Sequence, residues 1–238
     1  SPYRQYSALK SAALSTGASL KYETTVGAAL PILESVRRCI NSGDRIHRIE
    51  AVLSGTMNYI FSTYNGGPAA NGSEPTFAQV VRNAQEAGYT EPDPRLDLSG
   101  RDVLRKLIIM AREAGIPIDE NDVDSVPVLP AEYFSGDVNA FYKMLEDNEE
   151  TFSSHWKEAA GKGCRQRFIA SIESDGDSGY RCSMGLRDVS QEHPLYNLAG
   201  TDNSAIITTD FYPSPLVIQG AGAGAFQTAG GILNDILQ

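Results

Sequence analysis

The sequence predicts an α/β (α+β) fold in which a mixed or antiparallel sheet has helices packed on one face. Helix-like and strand-like segments alternate in the first half of the 238 residues. A run of four strand-like segments follows, joined by turns that contain Gly, Asp and Asn, as in antiparallel meanders. Early alternation followed by consecutive strands is typical of a sheet that is covered by helices on one side.

Each element follows from the local pattern of apolar residues and from its boundary residues. Helices are predicted where apolar residues recur every three to four positions, and strands where β-branched and aromatic residues dominate. Thr76 is the expected N-cap of one helix, and residues 66–75 are a polar loop of turn formers. In chain order the elements are a helix over 3–16, a strand over 20–27, a helix over 30–43, a strand over 45–55, helices over 56–65, 77–87 and 101–115, one or two helices over 137–163, strands over 165–174, 179–189, 204–212 and 216–220, and a helix over 227–238.

Composition excludes several classes of function. The net charge of −10 argues against nucleic acid or an anionic membrane as the main partner, and no apolar stretch approaches the eighteen residues of a membrane span. Cys39, Cys164 and Cys182 form no CxxC pair, which predicts a reducing compartment (the cytoplasm, or a plastid in a plant) without disulfides or a zinc site. The chain starts without Met and without a signal-peptide pattern, as the middle of a longer protein would.

Many charged side chains lie close together in residues 88–106, which read GYTEPDPRLDLSGRDVLRK. The two prolines of this stretch exclude a helix in its first half and predict a stiff loop that carries carboxylates. Ser99 is the expected N-cap of the next helix, with Asp102 three residues on as in a capping box. Asp102 and Lys106 then lie one helical turn apart in the favourable acid-first order. Spacing alone allows either a surface helix with an ordinary ion pair or a site that binds a substrate ammonium and protonates a carbonyl.

Three further segments place small residues where a helix begins. LVIQGAGAGAFQ has the order strand, glycine-rich turn, helix, which leaves backbone amides free for anions. It stands at the end of the sequence, where no room remains for a βαβ unit or for the acid that would bind a ribose, so a complete dinucleotide-binding domain is excluded. YETTVGAALP and LSGTMNYIF are the other two, and a simple strand–helix junction explains each of them equally well.

Taken together, YETTVGAALPI, LSGTMNYIF, AGYTEPDPRLDLSGRDVLRK and VIQGAGAGAFQTAGGILND resemble the signature blocks of homoserine dehydrogenases in order and spacing. The resemblance covers essentially the whole chain, and the block at 88–106 is its most specific part. PVLPAEYFSGDVNAF is similar to the dehydrogenase half of bifunctional aspartokinase–homoserine dehydrogenases. The resemblance implies NAD(P)H-dependent interconversion of L-aspartate 4-semialdehyde and L-homoserine, in threonine and methionine biosynthesis.

The resemblance also implies roles for individual residues. Lys106 corresponds to the lysine near the reacting oxygen, a general acid in aldehyde reduction. A monovalent cation (Na or K) is implied at Glu23 with the backbone carbonyls of three residues in the next turn. The implied substrate-binding residues are Gly55, Thr56, Tyr89, Glu91, Asp97 and Asp102, with Gly55 and Thr56 between substrate and nicotinamide; the cation residues are Glu23, Val26, Ala28 and Leu30; and the NADP or NAD contacts are Gly222 and Gly224.

The chain departs from the family pattern because the N-terminal Rossmann domain is missing from it. We expect residues 1–20 to be the trailing helix of that nucleotide-binding region, 21–212 a substrate-binding and dimerisation domain, and 213–238 a glycine-rich turn and helix that return toward the missing domain. The expected protein is a homodimer, and the resemblance to the bifunctional enzymes implies an aspartokinase domain in it. The chain alone is expected to be inactive. The alternative is a non-catalytic dimerisation or ligand-sensing module of the same fold. A Schiff-base enzyme that uses Lys106 is disfavoured by the neighbouring acids.

Overall fold

A computed structural model describes residues 2–65, 74–176 and 179–237. Short 3₁₀ segments at Glu23–Thr25, Glu120–Asp122 and Ala131–Phe134 join the longer elements. The described helices are α1 (Pro2–Thr16), α2 (Ile32–Asn41), α3 (Gly55–Tyr64), α4 (Phe77–Glu86), α5 (Arg95–Leu98), α6 (Arg101–Glu113), α7 (Val138–Asp147), α8 (Glu149–Gly161) and α9 (Ala225–Leu237). The described strands are β1 (Ile46–Val52), β2 (Val123–Ser125), β3 (Arg165–Ser174), β4 (Tyr180–Val189), β5 (Asp202–Thr209) and β6 (Leu216–Ala221).

The six strands form one mixed sheet in the order β2-β4-β3-β1-β5-β6. β2 runs parallel to β4, and every other neighbouring pair is antiparallel. Ile49 at the centre of β1 lies opposite Ile172 of β3 and Ile207 of β5. The predicted fold class is therefore confirmed, and β2 is an addition that its short sequence did not reveal.

The two faces of the sheet are covered to different extents. Ile49, Ile172 and Ile207 point to the same face, where they join the main core with the apolar sides of α2, α3 and α6. The alternate residues Val52 and Ile206 point to the other face, into a small cluster that the segment after β4 covers. This division follows from the period of two along each strand. The helix-covered face is the one that carries the candidate site.

Two local predictions were wrong. Residues 20–27 contain a 3₁₀ segment at Glu23–Thr25 and no strand, because the Thr25 hydroxyl donates to the Tyr22 carbonyl (2.7 Å) and Glu23 turns inward. Tertiary contacts override β propensity here. Ser99 is not the N-cap of α6, because that position is taken by Gly100, at φ 70°. The Ser99 hydroxyl donates to the carbonyl of Leu96 (2.7 Å), and its oxygen accepts a long hydrogen bond from the amide of Arg101 (3.4 Å), the first residue of α6. Thr76 caps α4 as predicted, by accepting from the amide of Gln79 (3.1 Å).

Two of the predicted loops lie partly outside the described residues. Most of the polar loop, residues 66–73, lies outside the described residues, as do 177 and 178 in the turn between β3 and β4. Across the three described ranges, the helices are all too short or too polar to cross a bilayer.

Candidate functional site

Lys106 on α6 faces the end of β1. Its Nζ donates to the carbonyl of Leu53 (2.8 Å) and forms an ion pair with Oδ2 of Asp102 (2.8 Å). The Lys106 side chain is 18% exposed, whereas the Asp102 side chain is 63% exposed. An ammonium has three N–H groups, so these two partners fix its direction and leave a third donor for a ligand.

The stiff loop and the first turn of α3 meet at Asp97. The Thr56 hydroxyl lies within hydrogen-bonding distance of the Tyr89 carbonyl and of Asp97 Oδ1 (3.1 Å from the latter). The other oxygen of Asp97 accepts from the backbone amide of Glu91 (2.9 Å). Asp97 therefore joins α3 to the loop, and Glu91 is held by its backbone while its side chain is exposed.

Gly55 stands at the start of α3, where Ser54 caps the helix by accepting from the Met57 amide (3.2 Å). A β-carbon at Gly55 would lie 2.6 Å from the carbonyl oxygen of Thr201, so only glycine allows this close approach. Asn58, one turn later, donates to the carbonyl of Asp202 (3.0 Å). The segment that leads into β5 is thus bound directly to the beginning of α3.

An open cleft of about 690 Å³ runs between the N-terminal end of α1 and α6. Lys106 and Asp102 lie on its wall, together with Thr25 and the cationic residues Arg4 and Arg105. Acidic and basic groups therefore face the same space. Such a cleft suits a small zwitterion that carries both an ammonium and a carboxylate.

Glu23 is buried, and both of its carboxylate oxygens are already bonded. Oε1 accepts from the Leu33 amide (2.7 Å), and Oε2 accepts from Arg37 Nη2 (2.7 Å). Burial raises the pKa of Glu23, although the Arg37 charge and the hydrogen bonds oppose this rise. Arg37 also reaches Glu113 Oε1 (3.5 Å), at the end of α6.

The turn after Glu23 has unusual backbone geometry. Gly27 and Ala28 both have positive φ angles, 77° and 53°, and left-handed geometry is uncommon for a residue with a β-carbon. Each Glu23 carboxylate oxygen already accepts one hydrogen bond, so a cation here would depend mainly on backbone carbonyls such as those of Val26, Ala28 and Leu30. Within the described ranges, the side chains of His, Cys, Asp and Glu form no group of three that could bind a metal ion.

Gly222 and Gly224 form the turn between β6 and α9. Gly224 has φ 125°, and a β-carbon on Gly222 would lie 2.1 Å from Cγ of Asn203. Bulkier residues are therefore excluded at both positions. A turn whose only side chains are the methyl groups of alanines, at the start of a helix and next to a buried amide, suits close approach of a cofactor.

A model of the homoserine dehydrogenase family matches residues 31–237. The chain belongs to this family. It is 38% identical over 239 residues to the chloroplastic bifunctional aspartokinase/homoserine dehydrogenase 2 of Zea mays, covering 100% of this chain and 25% of that protein. It is also 38% identical over 226 residues to the homoserine dehydrogenase of Saccharomyces cerevisiae, covering 94% of this chain and 61% of that protein. The chain thus spans only part of the length of these relatives.

Solved structures agree with the family assignment. A putative homoserine dehydrogenase from Archaeoglobus fulgidus superposes with a TM-score of 0.77 at 28% identity, over 99% of this chain and 63% of that one. A hyperthermophilic archaeal homoserine dehydrogenase, solved in complex with NADPH, superposes with a TM-score of 0.70 over 99% of this chain and 60% of that one. At 22% identity, the second comparison shows the fold alone.

For a homoserine dehydrogenase domain, the structure brings most of the sequence-predicted residues together in two places. Lys106, Asp102, Asp97 and Thr56 are joined around the ends of β1 and α3, whereas the glycine turn lies where β6 ends. Sequence reasoning missed several groups that support the site residues. The Leu53 carbonyl accepts from Lys106, Asn203 lies against Gly222, and Arg37 pairs with Glu23 and Glu113. A backbone carbonyl has no residue-type signal, and Asn203 stood in GTDN, which was interpreted only as turn chemistry.

Proposed function

We propose that this chain is the substrate-binding part of a homoserine dehydrogenase, which reduces L-aspartate 4-semialdehyde to L-homoserine with NADPH or NADH, reversibly. One observation carries the proposal: Lys106 is oriented by the Leu53 carbonyl and by Asp102 at the wall of a cleft in which, among the described lining residues, Asp102 is the one acid beside several basic side chains. Family membership supports it. The whole enzyme's activity is assigned here by inference, because the chain covers 25% to 61% of the relatives just described.

Lys106 is the proton donor in this proposal. A bound nicotinamide would supply the hydride that the aldehyde carbon needs. The Lys106 ammonium donates its proton to the carbonyl oxygen, which gives the alcohol and leaves a neutral amine on Lys106. In the reverse direction the amine takes the hydroxyl proton. The contacts with Leu53 and Asp102 keep Nζ in one direction, so the proton transfer needs little reorganisation.

The substrate ammonium is the natural partner of the acids along the loop and α6. Glu91 and Asp102 are exposed enough to reach a ligand, and carboxylates form strong charge-assisted hydrogen bonds with an ammonium. One Asp97 oxygen lies within hydrogen-bonding distance of the Thr56 hydroxyl, and the other accepts from the Glu91 amide. The Thr56 hydroxyl is also close to the Tyr89 carbonyl, so these contacts fix the loop against α3. Gly55 and Thr56 then separate the substrate from the nicotinamide.

The cofactor belongs at the turn of Gly222 and Gly224 and is NADP or NAD. The NADPH bound to an archaeal relative supports a nicotinamide cofactor, and the close backbone approach that Gly222 and Gly224 allow in this turn supports its place. We also assign the carbonyls of Val26, Ala28 and Leu30 to a monovalent cation, Na or K. In this assignment the Glu23 side chain stabilises the turn through Arg37 and Leu33 and does not bind the ion directly.

A nucleotide-binding domain elsewhere in the protein completes the site in this proposal. Residues 1–20 lead from it, 21–212 form the substrate-binding and dimerisation domain, and 213–238 return to it. The exposed apolar side chains of α9, among them Phe226 (92% exposed) and Ile236 (73% exposed), suit such a contact. The full-length protein is a homodimer in the cytoplasm or a plastid, with an aspartokinase domain as in the maize relative.

Substrate discrimination tests the proposed function. The full-length protein, which includes the nucleotide-binding domain, is assayed for NADPH oxidation with L-aspartate 4-semialdehyde and with succinic semialdehyde, which lacks only the amino group. A site with acids for the ammonium should reject the second aldehyde by a factor on the order of 10⁴ in kcat/KM. Equal rates with both aldehydes, or no oxidation of either NADPH or NADH with L-aspartate 4-semialdehyde, would contradict the proposal.

The same assay tests whether the 238-residue chain is only one part of the enzyme. The 238-residue chain, assayed alone, should oxidise NADPH at no measurable rate, because the residues for the nucleotide are supplied elsewhere. Full activity of the chain alone would refute the proposed division into domains. Light scattering of the full-length protein tests the homodimer, and activity in a Na⁺- and K⁺-free buffer tests the cation site.

A further inference from the structure

Asn203 at the start of β5 is buried without visible hydrogen bonds. Its exposed fraction is 1%, and neither Nδ2 nor Oδ1 has a partner among the described protein groups. Buried polar side chains in native proteins nearly always have partners, since an unsatisfied one costs free energy. The side chain therefore needs an explanation that packing does not provide.

The carboxamide points to the glycine turn. Asn203 is opposite Gly220 in the β5–β6 ladder, and two residues later the chain bends at Gly222. A β-carbon on Gly222 would lie 2.1 Å from both Cγ and Nδ2 of Asn203. Only an unsubstituted backbone can lie against the carboxamide, so the peptide groups of the turn are its nearest candidates for hydrogen bonds.

The same segment also touches the substrate side of the site. Thr201, two residues before Asn203, has its carbonyl oxygen against Gly55 at the start of α3. The carbonyl of Asp202 accepts from Asn58 (3.0 Å). Residues 201–203 therefore link the beginning of α3, where Thr56 is located, with the turn that contains Gly222 and Gly224.

We propose that Asn203 is a positioning residue, whose carboxamide hydrogen-bonds peptide groups of the turn 221–224 and holds that turn in place when the nicotinamide cofactor is bound. Asn has both a donor and an acceptor, as a turn with free N–H and C=O groups requires. Without the cofactor, the side chain contributes little to stability. The inference rests on the proposed function, because it assigns a cofactor to this turn.

An apolar replacement of similar size tests the inference. Asn203→Leu removes the buried polar atoms and keeps most of the volume, so the melting temperature of the full-length protein should stay equal or rise. The Kd for NADPH, measured by cofactor fluorescence without substrate, should increase about tenfold or more. The reduction in kcat/KM for L-aspartate 4-semialdehyde should follow this loss of affinity.

Asn65→Leu is the matched control. Asn65 is also buried, but its Nδ2 donates to the Phe61 carbonyl (2.6 Å) and its Oδ1 accepts from the Gln166 amide (3.4 Å). It stands at the far end of α3 from Gly55. This replacement should lower the melting temperature and leave the Kd for NADPH unchanged, which shows that lost stability does not by itself weaken cofactor binding.

The outcomes are distinct. A Kd for Asn203→Leu within twofold of the wild type would overturn the inference at any melting temperature. Equal weakening of NADPH binding in both variants would also overturn it, since general damage to the fold would then explain the effect. Failure of the wild type itself to bind NADPH would overturn the proposed function, and the inference with it.

Discussion

Two ion pairs in this domain have nearly the same length and opposite surroundings. Arg37 lies 2.7 Å from Glu23, and Lys106 lies 2.8 Å from Asp102. The side chains of Glu23 and of Glu113, the second partner of Arg37, are 6% and 2% exposed, whereas Asp102 is 63% exposed. In the first pair the acids are desolvated and satisfied, and in the second they are open to a ligand.

The N–O distance of an ion pair therefore does not distinguish a structural pair from a functional one. The Glu113 carboxylate also accepts from the Tyr22 hydroxyl and lies 3.6 Å from Lys10 Nζ, so the buried cluster joins α1, α2 and α6. Burial and the nearby Glu113 carboxylate raise the pKa of Tyr22 well above its usual range. Lys106, in contrast, is directed by a backbone carbonyl toward the cleft. An ion pair whose acid is buried and hydrogen-bonded within the protein indicates a role in stability. An ion pair whose acid is exposed to a cleft indicates a role in function.

Removal of Lys106 should have the largest effect. Lys106→Ala in the full-length protein should lower kcat by a factor of about 10² to 10⁴, because the proton donor is lost, and change the free energy of unfolding by about 1 kcal/mol or less. Lys143→Ala is the control, since Lys143 pairs with Asp147 at 2.9 Å with the same i,i+4 spacing on the exposed side of α7. Similar kcat values for the two variants would place Lys106 outside the chemistry.

Removal of Arg37 should have the opposite result, with its main effect on the free energy of unfolding. Arg37→Met leaves Glu23 and Glu113 buried without their shared cation, so the free energy of unfolding, measured with urea, should fall by about 3 kcal/mol. Arg82→Met is the control, because Arg82 pairs with the exposed Glu146 (2.8 Å), and it should cost less than about 1 kcal/mol. Equal losses in the two variants would mean that the buried cluster contributes no special stability.

A third pair, Asp93 with Arg95, gives a smaller, pH-dependent effect. Hydrogen bonds from Arg95 lower the pKa of Asp93 below its usual value. A lowered folded-state pKa adds stability above the unfolded-state pKa of about 3.9, and this stability is lost as the pH falls through the folded-state pKa. Wild type should therefore be more stable than Asp93→Asn at pH 7, and their melting temperatures should converge near pH 2. A constant difference across this range would show that the ion pair does not stabilise the loop.

The sequence predicted the fold well where local patterns and tertiary packing agree. The strands 165–174 and 216–220 and the helix of α6 follow from period and glycine placement, and the structure has them within a few residues. The failures have a common cause. At residues 20–27 the propensity for a strand lost to the inward turn of Glu23, and at Ser99 the left-handed backbone of Gly100 moved the start of α6 one residue further along the chain.

For the candidate site, the sequence indicated the side chains of Asp102 and Lys106 but not the groups that hold the site residues in place. The pair of Asp102 and Lys106 follows from i,i+4 spacing and is confirmed at 2.8 Å. The Leu53 carbonyl and the carboxamide of Asn203 come from distant parts of the chain, and no local pattern relates them to α6 or to the glycine turn. The ion pairs of Arg37 could not be predicted from local spacing, because its two acids are separated from it by 14 and 76 positions.

The most direct test of the account is a double-mutant cycle of Lys106→Met and Asp102→Asn, measured in both kcat/KM and the free energy of unfolding. The account predicts a coupling of at most about 0.5 kcal/mol in unfolding. It also predicts strong non-additivity in kcat/KM, because Asp102 has little left to orient once Lys106 is gone. A coupling of several kcal/mol in unfolding, with kcat/KM close to that of the wild type in all three variants, would contradict the account and make this pair structural.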